Sequence, residues 1–339
     1  MNHSIAKYVA LCFSMACFMP LLYGQSKTGT TIMQFLLIEP SGKISAMGNS
    51  GVAIPNDAMS SYYNPASLGY QRTSNVEFSH NNWIADIAHD YFSSSFQISD
   101  ASSIGLSVAS LSSGNIKVRT VQQPLGTGEQ YSVSDYSIGI GFGQKITDKF
   151  SAGVQISYSQ ETVWHNSISV FSINFGTLYQ ITSDGLLLGA SISNFGMKGK
   201  FDGRDLRIPY DYDATRYGDN STIPAELLTE EYSLPVVFRV GCSYPIKLNE
   251  SNELLFAADA FHPSDNSESI SFGGEYTFMK TFSLRGGYQH LFQIDSELGL
   301  TMGGGVMWDI ANYVLHMDYS WSDQGRLGSS QRITVGMDF

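Results

Sequence analysis

Apolar and polar residues alternate along most of this chain, and residues 330–339 show the alternation most clearly. Ile333, Val335, Met337 and Phe339 are apolar, whereas the residues between them are polar or small. A period of two predicts a strand whose two faces meet different surroundings. Strands of a closed outer-membrane barrel have this pattern, because alternate side chains face lipid and lumen. The pattern therefore predicts an all-β transmembrane barrel.

About fourteen alternating segments follow one another from Ser74 to the C-terminus. Each is close to the roughly 10 residues that a tilted spanning strand requires. The segments are approximately 74–82, 90–99, 102–112, 133–146, 149–161, 168–181, 185–195, 233–246, 252–262, 268–279, 281–290, 298–309, 311–321 and 330–339. Short and long links alternate between them, as in bacterial barrels with short periplasmic turns and long external loops. We therefore predict an antiparallel barrel of about fourteen strands over 74–339, with its C-terminus on the periplasmic side.

The two faces of the predicted strands differ in size as well as in polarity. In segment 133–146 the outward row is Tyr136, Ile138, Ile140 and Phe142, and the inward row is Ser137, Gly139, Gly141 and Gly143. Glycines on the inward row would let another part of the chain approach the wall closely. The run Gly303-Gly304-Gly305 has the same interpretation, with a bulge as an alternative.

Composition agrees with a barrel and argues against a nucleic-acid-binding protein and against a protein with membrane-spanning helices. Only 15% of the residues are charged, while 13% are aromatic. A barrel needs few charges outside its loops and many aromatic residues for its interfacial girdles. The formal net charge of -12 argues against nucleic acid as a partner. Apart from the N-terminus, no apolar run approaches the ~20 residues of a spanning helix.

The N-terminus has the pattern of a cleaved signal peptide. A basic residue precedes an apolar stretch from Tyr8 to Leu22, which is typical of such a peptide. We predict a signal peptide over 1–24, and hence export to the outer membrane of a Gram-negative cell. Cys17 as a lipidated cysteine is a weaker alternative, since Ser14-Met15-Ala16 matches a lipobox poorly. Without the signal peptide only Cys242 remains, on a lipid-facing row, so no intramolecular disulfide is expected.

Residues 25–73 do not alternate like a strand, and we predict that they form a linker and a hatch. Small residues, glycine and proline suit tight turns better than a lipid-facing wall. We therefore expect this segment to plug the barrel lumen. The residues that define the hatch motif are Gly48, Gly51, Asp57, Asn64, Pro65 and Ala66.

Charged residues on the inward rows are expected to pair across neighbouring strands. If the hairpins close in the register that keeps the apolar rows together, the pairs are Glu275–Arg285, Arg239–Asp259 and Asp318–Arg332. Opposite charges that face each other contribute roughly 0.2–1 kcal/mol each. Three such pairs predict a lumen partly filled by polar contacts. Unrelated charges in a wet lumen are the alternative.

The sequence indicates no enzyme, metal site or cofactor. A serine hydrolase would need a nucleophile, a histidine and an orienting group within reach of one another, and no Gly-x-Ser-x-Gly elbow is present. Carboxylates between Gly196 and Tyr232 match no calcium-loop spacing and are expected to form a solvated surface. The same loop carries Tyr210, Tyr212 and Tyr217. Because aromatic residues among polar groups favour protein contacts, this loop is the candidate partner surface.

Several stretches of the chain resemble the PorV/PorQ family, which is itself similar to the fourteen-stranded FadL-type barrels. The matching stretches are Phe35 to Pro40, Ala46 to Gly48, Gly51 to Ala53, Asp57 to Ala66, Phe261 to Asp265, and Tyr319 to Phe339. A terminal strand that ends in Phe339 also resembles the signal read by the barrel-assembly machinery of Gram-negative bacteria.

This resemblance implies two alternative roles. PorV-like members belong to the type IX secretion system, where they engage C-terminal signal domains of exported cargo and associate with the translocon or the cell-surface sortase. FadL-like relatives carry hydrophobic small molecules through the wall. The first hypothesis is therefore a non-enzymatic accessory subunit of type IX secretion, which a filled lumen and large structured outer loops would favour. The second is a passive conduit for a hydrophobic ligand, which an apolar pocket between hatch and wall, with a break in the wall pairing near the hatch, would favour.

Overall fold

A computed structural model describes residues 28–55, 57–213, 215 and 222–339. The predicted signal peptide over 1–24, with Cys17, lies outside the described residues. Fourteen strands form a closed antiparallel ring in which each strand pairs with its neighbours in sequence, and the first strand also pairs with the last. The predicted fold class, an all-β barrel, is therefore confirmed.

The wall strands keep the order of the chain. They are β1 (Asn75–Asn82), β2 (Ala88–Ser99), β3 (Ser102–Ser112), β4 (Val133–Thr147), β5 (Phe150–Val163), β6 (Asn166–Gln180), β7 (Leu187–Gly196), β8 (Val237–Lys247), β9 (Glu253–Pro263), β10 (Ser269–Phe278), β11 (Phe282–Leu291), β12 (Leu300–Ile310), β13 (Tyr313–Asp323) and β14 (Ser329–Asp338). Each overlaps one predicted segment, and their ends differ by four residues at most. Alternation located the strands this closely because it is a local property of each strand.

Apolar side chains cover the outside of the ring, and small or polar side chains line its inside. On β4 the outward residues Ile138 and Ile140 are exposed, whereas the inward Ser137 is buried. On β14 Ile333 and Val335 are likewise exposed, while Arg332 and Thr334 are buried. Cys242 lies on the outward row of β8 and is exposed. Exposed aliphatic and aromatic residues in an unbroken belt are the surface that hydrocarbon requires.

The lumen is filled by the hatch, residues 28–74, which precedes β1. Its regular pieces are a 3-10 helix (Gln34–Leu37), α1 (Gly42–Ala46), α2 (Ser60–Tyr63) and a second 3-10 helix (Pro65–Tyr70). Helix α1 begins where the Ser41 hydroxyl accepts a hydrogen bond from the Ile44 amide at 3.3 Å, a standard N-cap. The second 3-10 helix begins with Asn64 as its cap and Pro65 in its first turn, where the missing amide of proline costs nothing.

Inward glycines bring the wall close to the hatch. A Cβ atom built on Gly143 would lie 2.6 Å from Leu68 Cβ, and one on Gly303 would lie 2.7 Å from Ala46 Cβ. Gly139 differs from the expectation, because its nearest neighbours are the wall side chains Gln155 and Ser107. Polar wall residues, and not the hatch, therefore fill the space beside Gly139.

Long loops at one end of the barrel carry their own structure. Residues 116–117 pair with 130–131, residues 207–210 pair with 223–226, and Asp202–Gly203 adds to the end of β6. Three short 3-10 helices complete the loops, Ile84–Asp86, Arg204–Leu206 and Gly325–Leu327. We call this end the outer end, since long loops face outward in bacterial barrels. No helix within the described ranges is long and apolar enough to span a membrane.

Candidate functional site

A cavity of about 1120 Å³ lies at the outer end of the lumen, between the first residues of the hatch and the wall. Much of its lining is apolar, and the large side chains there include Ile32, Phe35, Trp83, Ile87, Phe201 and Phe261. Residues of the outer loops, among them Leu228 and Tyr232, also line it. A concave, largely apolar space with a few polar groups is the usual form of a binding site.

The first described residues form one side of this cavity. We call residues 28–39 the strap. The Thr31 hydroxyl and the Gln34 amide both donate to Asp265 Oδ2 at 2.6 Å, and the Met33 amide donates to Glu161 Oε2 at 2.9 Å. The Ile32 amide donates to the Ser233 carbonyl at 3.1 Å. The strap is thus tied to strand β5 and to two outer loops, so that it crosses the outer end of the lumen.

A buried ion pair forms part of the cavity floor. Arg239 Nη2 of β8 lies 3.6 Å from Glu39 Oε1 at the end of the strap. The Arg239 guanidinium also donates to Ser193 Oγ at 3.0 Å and lies 5.6 Å and 5.7 Å from the ring centroids of Tyr62 and Phe261. Cation–π contacts of this geometry stabilise a buried arginine. The pair fastens the strap to the wall.

The expected pairing of Arg239 with Asp259 differs from the structure. Arg239 lies opposite Phe261, and Asp259 lies opposite Gly241, so the register is two residues away from the one assumed. A shift of two residues leaves every side chain on the same face, and alternation therefore cannot detect it. Asp259 instead accepts a hydrogen bond from the Val52 amide of the hatch at 2.9 Å.

A second charge cluster lies between the hatch and the wall at the opposite end. Glu275 and Arg285 face each other across β10 and β11 and form an ion pair. Asp318 was expected opposite Arg332 but lies opposite Thr334, again two residues away. Asp318 contacts His316 and Arg285, and Arg285 therefore contacts both Glu275 and Asp318. Arg332 lies opposite Ser320.

The hatch-motif residues make the contacts that hold the hatch. The Gly48 amide donates to Thr301 Oγ1 at 2.9 Å, and the positive φ of Gly48, 68°, suits glycine. A Cβ atom on Gly51 would lie 2.6 Å from Ile44 Cγ2. Asp57 Oδ1 accepts from the amide and the hydroxyl of Ser60, both at 2.7 Å. These contacts shape the hatch and seat it on the wall.

The Asn64-Pro65-Ala66 run lies against strands β5 and β6. A Cβ atom on Gly153 would lie 2.3 Å from the Pro65 carbonyl oxygen, so this approach requires glycine. The Ala66 carbonyl accepts a hydrogen bond from Ser151 Oγ at 2.8 Å. Buried backbone groups of the hatch thus obtain partners from wall side chains, as buried polar groups must.

The candidate partner loop is exposed at the outer end. Tyr210 and Tyr212 are 49% and 81% exposed, and Tyr217 lies outside the described residues. Pro209 and Pro224 face each other in the small sheet formed by 207–210 and 223–226. Leu228, on the same loop, is 93% exposed and also borders the cavity. The loop therefore offers aromatic and apolar side chains beside the cavity entrance.

The wall pairing between β6 and β7 is interrupted beside the hatch. The register of β6 and β7 shifts between Ile173 and Phe175, and Asn194 there has a φ of 61°. The Asn194 amide donates to Asn174 Oδ1 at 2.7 Å, and its side chain donates to the Pro235 carbonyl at 3.1 Å. This β-bulge re-aims the strand, while polar side chains bridge the interruption.

Sequence reasoning missed the carboxylates that border the cavity. Asp135 and Glu161 lie on the inward faces of β4 and β5, and Asp265 lies on the loop after β9. Asp135 and Glu161 could have been found from the sequence, because each is an inward-facing carboxylate at the outer end of a predicted strand. In the described part of the chain, no three or more histidine, cysteine or acidic side chains are grouped as a metal site would require.

Comparison with solved structures shows the same fold. The toluene transporter TodX of Pseudomonas putida has a TM-score of 0.57 at 14% identity, and the match covers 89% of this chain and 98% of that one. The toluene transporter TbuX of Ralstonia pickettii has a TM-score of 0.53 at 13% identity, with 89% and 98% covered. A Pseudomonas aeruginosa FadL homologue has a TM-score of 0.52 at 12% identity, with 88% and 98% covered. At such identities the likeness concerns the fold alone.

Comparison with families gives a more specific result. No curated protein matches the sequence. The family described as "Type IX secretion system protein PorV" matches residues 23–205, which is more than half of the 339 residues. That region contains the strap, the hatch motif, the first seven wall strands and part of the candidate partner loop. The chain therefore belongs to the PorV family of outer-membrane barrels.

Proposed function

We propose that this barrel is a non-enzymatic accessory component of type IX protein secretion, which binds exported proteins or their translocon and sortase partners at its outer end. Membership of the PorV family supports this role. Export would require cleavage of the signal peptide over 1–24, and insertion would require the assembly machinery to recognise the strand that ends in Phe339.

The filled lumen is the observation that carries the proposal. Hatch backbone groups bond to wall side chains around the ring, among them Thr334 of β14, Thr301 of β12, Ser243 of β8 and Ser151 of β5. A folded or extended polypeptide has no room beside a segment held in this way. The large cavity lies at the outer end, between the strap, the wall and structured loops with exposed aromatic residues. This arrangement suits a protein that holds its partner at the surface.

The decisive experiment compares secreted proteomes. The gene is deleted and restored on a plasmid, and proteins that carry type IX signal domains are quantified outside the cells. Export should fall in the deletion strain and return with the wild-type gene. A Tyr210→Ala/Tyr212→Ala variant should restore export less well than a matched Tyr179→Ala/Tyr313→Ala variant, whose tyrosines lie on the wall. Unchanged export after deletion would refute the proposed function.

A second candidate function is passive transport of a hydrophobic compound, such as the toluene carried by TodX and TbuX. The apolar cavity favours it, as does the bulge at Asn194 beside the hatch. Initial uptake of radiolabelled toluene by cells with and without the gene tests this function. Faster uptake with the gene would support transport, and equal rates would remove this candidate.

A further inference from the structure

Two carboxylates face each other at the side of the outer cavity. Asp135 of β4 lies opposite Glu161 of β5, and both residues border the cavity. Like charges placed directly opposite each other in a sheet are destabilising. Such a pair is retained at low cost where a positive charge binds between or above the two groups. A cation bound beside the two carboxylates would offset this repulsion.

One oxygen of the Asp135 carboxylate lacks a hydrogen-bond partner among the described residues. The residue is only 7% exposed, and in the part of the chain that the structure describes its Oδ1 atom has no hydrogen-bond partner. By contrast, Glu161 accepts the Met33 amide, and Asp265 accepts from Thr31 and Gln34. A buried acceptor without a donor costs free energy. A ligand with a charged donor would remove this cost.

The cavity lining carries more acidic than basic side chains. Glu39, Glu230 and Asp265 border it as well. The arginine in its lining, Arg239, is held by Glu39 in the floor. A recess with low-dielectric walls and charges of one sign concentrates the opposite charge. An anionic amphiphile would be repelled from this cavity, whereas a cationic one would be attracted.

The surroundings of the carboxylate pair favour an organic cation over a metal ion. Leu111 lies opposite Asp135 on β3, and Leu111, Ile87 and Trp83 all border the cavity. Apolar surface beside a carboxylate suits the methylene stem and charged head of a long basic side chain. A calcium site would need six or more oxygen ligands, and the described residues supply no grouping of that kind.

We propose that Asp135 and Glu161 form a subsite for a lysine or arginine side chain that a partner polypeptide inserts into the outer cavity. The charged head binds the two carboxylates, and the stem packs against Leu111 and Ile87. This inference rests on the proposed function, since it assigns the chemistry by which the outer end selects a bound protein.

Peptide binding to the purified full-length barrel in zwitterionic nanodiscs tests the inference. Trp164→Phe, Trp308→Phe and Trp321→Phe leave Trp83, which borders the cavity, as the fluorescent reporter. The probes are three acetylated and amidated hexapeptides that carry 4-bromophenylalanine as the quencher and differ only in a central lysine, norleucine or glutamate. The lysine peptide should bind about tenfold more tightly than the norleucine peptide, as expected for a charge-assisted hydrogen bond, and the glutamate peptide should bind most weakly.

The variant D135N/E161Q should reduce the preference for lysine over norleucine to less than about twofold, by the loss of the same interaction. Heat-dependent gel migration and retained binding of the norleucine peptide show that this variant is folded. The matched control D205N removes an exposed outer carboxylate that does not border the cavity, and should leave the preference unchanged. Equal binding of the lysine and norleucine peptides, or an undiminished preference in D135N/E161Q, would overturn the inference. Displacement of the lysine peptide by millimolar calcium, but not by equal ionic strength of sodium chloride, would overturn it in favour of a metal site.

Failure of one proposal can be distinguished from failure of the other. A loss of export in the deletion strain together with equal peptide binding would leave the secretion role standing and remove the basic-residue subsite. Unchanged export would remove the secretion role, whatever the peptides show.

Discussion

Asn64 of the hatch lies directly against Gly176 of the wall, since a Cβ atom built on Gly176 would be 1.9 Å from Asn64 Oδ1. The Asn64 amide group donates to the Val52 carbonyl at 2.8 Å and to the Thr177 carbonyl at 3.0 Å. One side chain therefore joins two parts of the hatch to strand β6. This contact exists only because the wall has no side chain at that point.

Gly176→Ala should therefore loosen the seat of the hatch. The added methyl overlaps Asn64, and overpacking of this kind typically costs about 1–3 kcal/mol. The measurement is the midpoint of the heat-dependent gel shift or of urea unfolding in detergent. Gly286→Ala is the matched control, because a Cβ atom there lies 4.0 Å from its nearest neighbour on the outer face. Equal midpoints for both variants would contradict the contact.

Arg285→Met should destabilise the barrel strongly. Arg285 contacts both Glu275 and Asp318, and all three side chains are at least nine-tenths buried. Removing one partner of a buried ion pair costs roughly 3–5 kcal/mol, because it leaves charge without compensation. Arg326→Met, in an exposed pair with Glu297, should cost at most about 1 kcal/mol. Urea unfolding of both variants measures the difference, and a small effect at Arg285 would show that the cluster does not fasten the wall.

The ion pair between Arg239 and Glu39 should show a measurable coupling energy. Arg239→Met, Glu39→Gln and the double variant form a thermodynamic cycle. We expect a coupling of about 0.5–3 kcal/mol, the range for residues in one ion-pair network. A second cycle with Asp259→Asn should give a smaller coupling, since Asp259 does not lie opposite Arg239. A larger coupling of Arg239 with Asp259 than with Glu39 would instead support the register in which Arg239 lies opposite Asp259.

Glu297 and Arg326 should link two outer loops in a pH-dependent way. The Arg326 backbone amide donates to Glu297 Oε2 at 2.8 Å. This hydrogen bond, with the Arg326 side chain, lowers the pKa of Glu297. Because the pKa is lower in the folded protein, the link is present at neutral pH and is lost as the pH falls through that value. The ¹⁵N chemical shift of the Arg326 amide should follow the titration, and in Glu297→Gln it should stay constant.

The strands of the wall could be predicted from the sequence because their two faces differ at every step. The apolar Ile138 and the polar Ser137 indicate which face of the strand meets lipid and which meets the lumen, and no other segment is needed to assign them. The hatch could be predicted for the same reason, since Gly48 to Ala66 lacks that alternation. The register in which neighbouring strands pair was harder to predict. Arg239 and Asp318 have the faces expected of them but partners two residues away, because turn geometry, and not the hydrophobic pattern, fixes that choice.

The cavity could not be predicted, because its polar residues meet only in three dimensions. Thr31 and Asp265 are 234 positions apart in the chain, and Met33 and Glu161 are 128 apart. No spacing rule joins such pairs. Glu39 lies within the Phe35–Pro40 stretch that the sequence singles out. Its pairing with Arg239 could not be predicted, because it depends on the path of the strap.

The strand that closes the ring, β1, follows the hatch directly and pairs with β14 along its full length. A segment upstream of that seam therefore ends up enclosed by it, with the strap crossing one end and the charge cluster around Arg285 at the other. Threading the hatch, residues 28–74, through a finished cylinder whose interior it fills is sterically forbidden. The wall must consequently assemble around the hatch during biogenesis. Pairing of β1 with β14 is then the step that encloses the hatch.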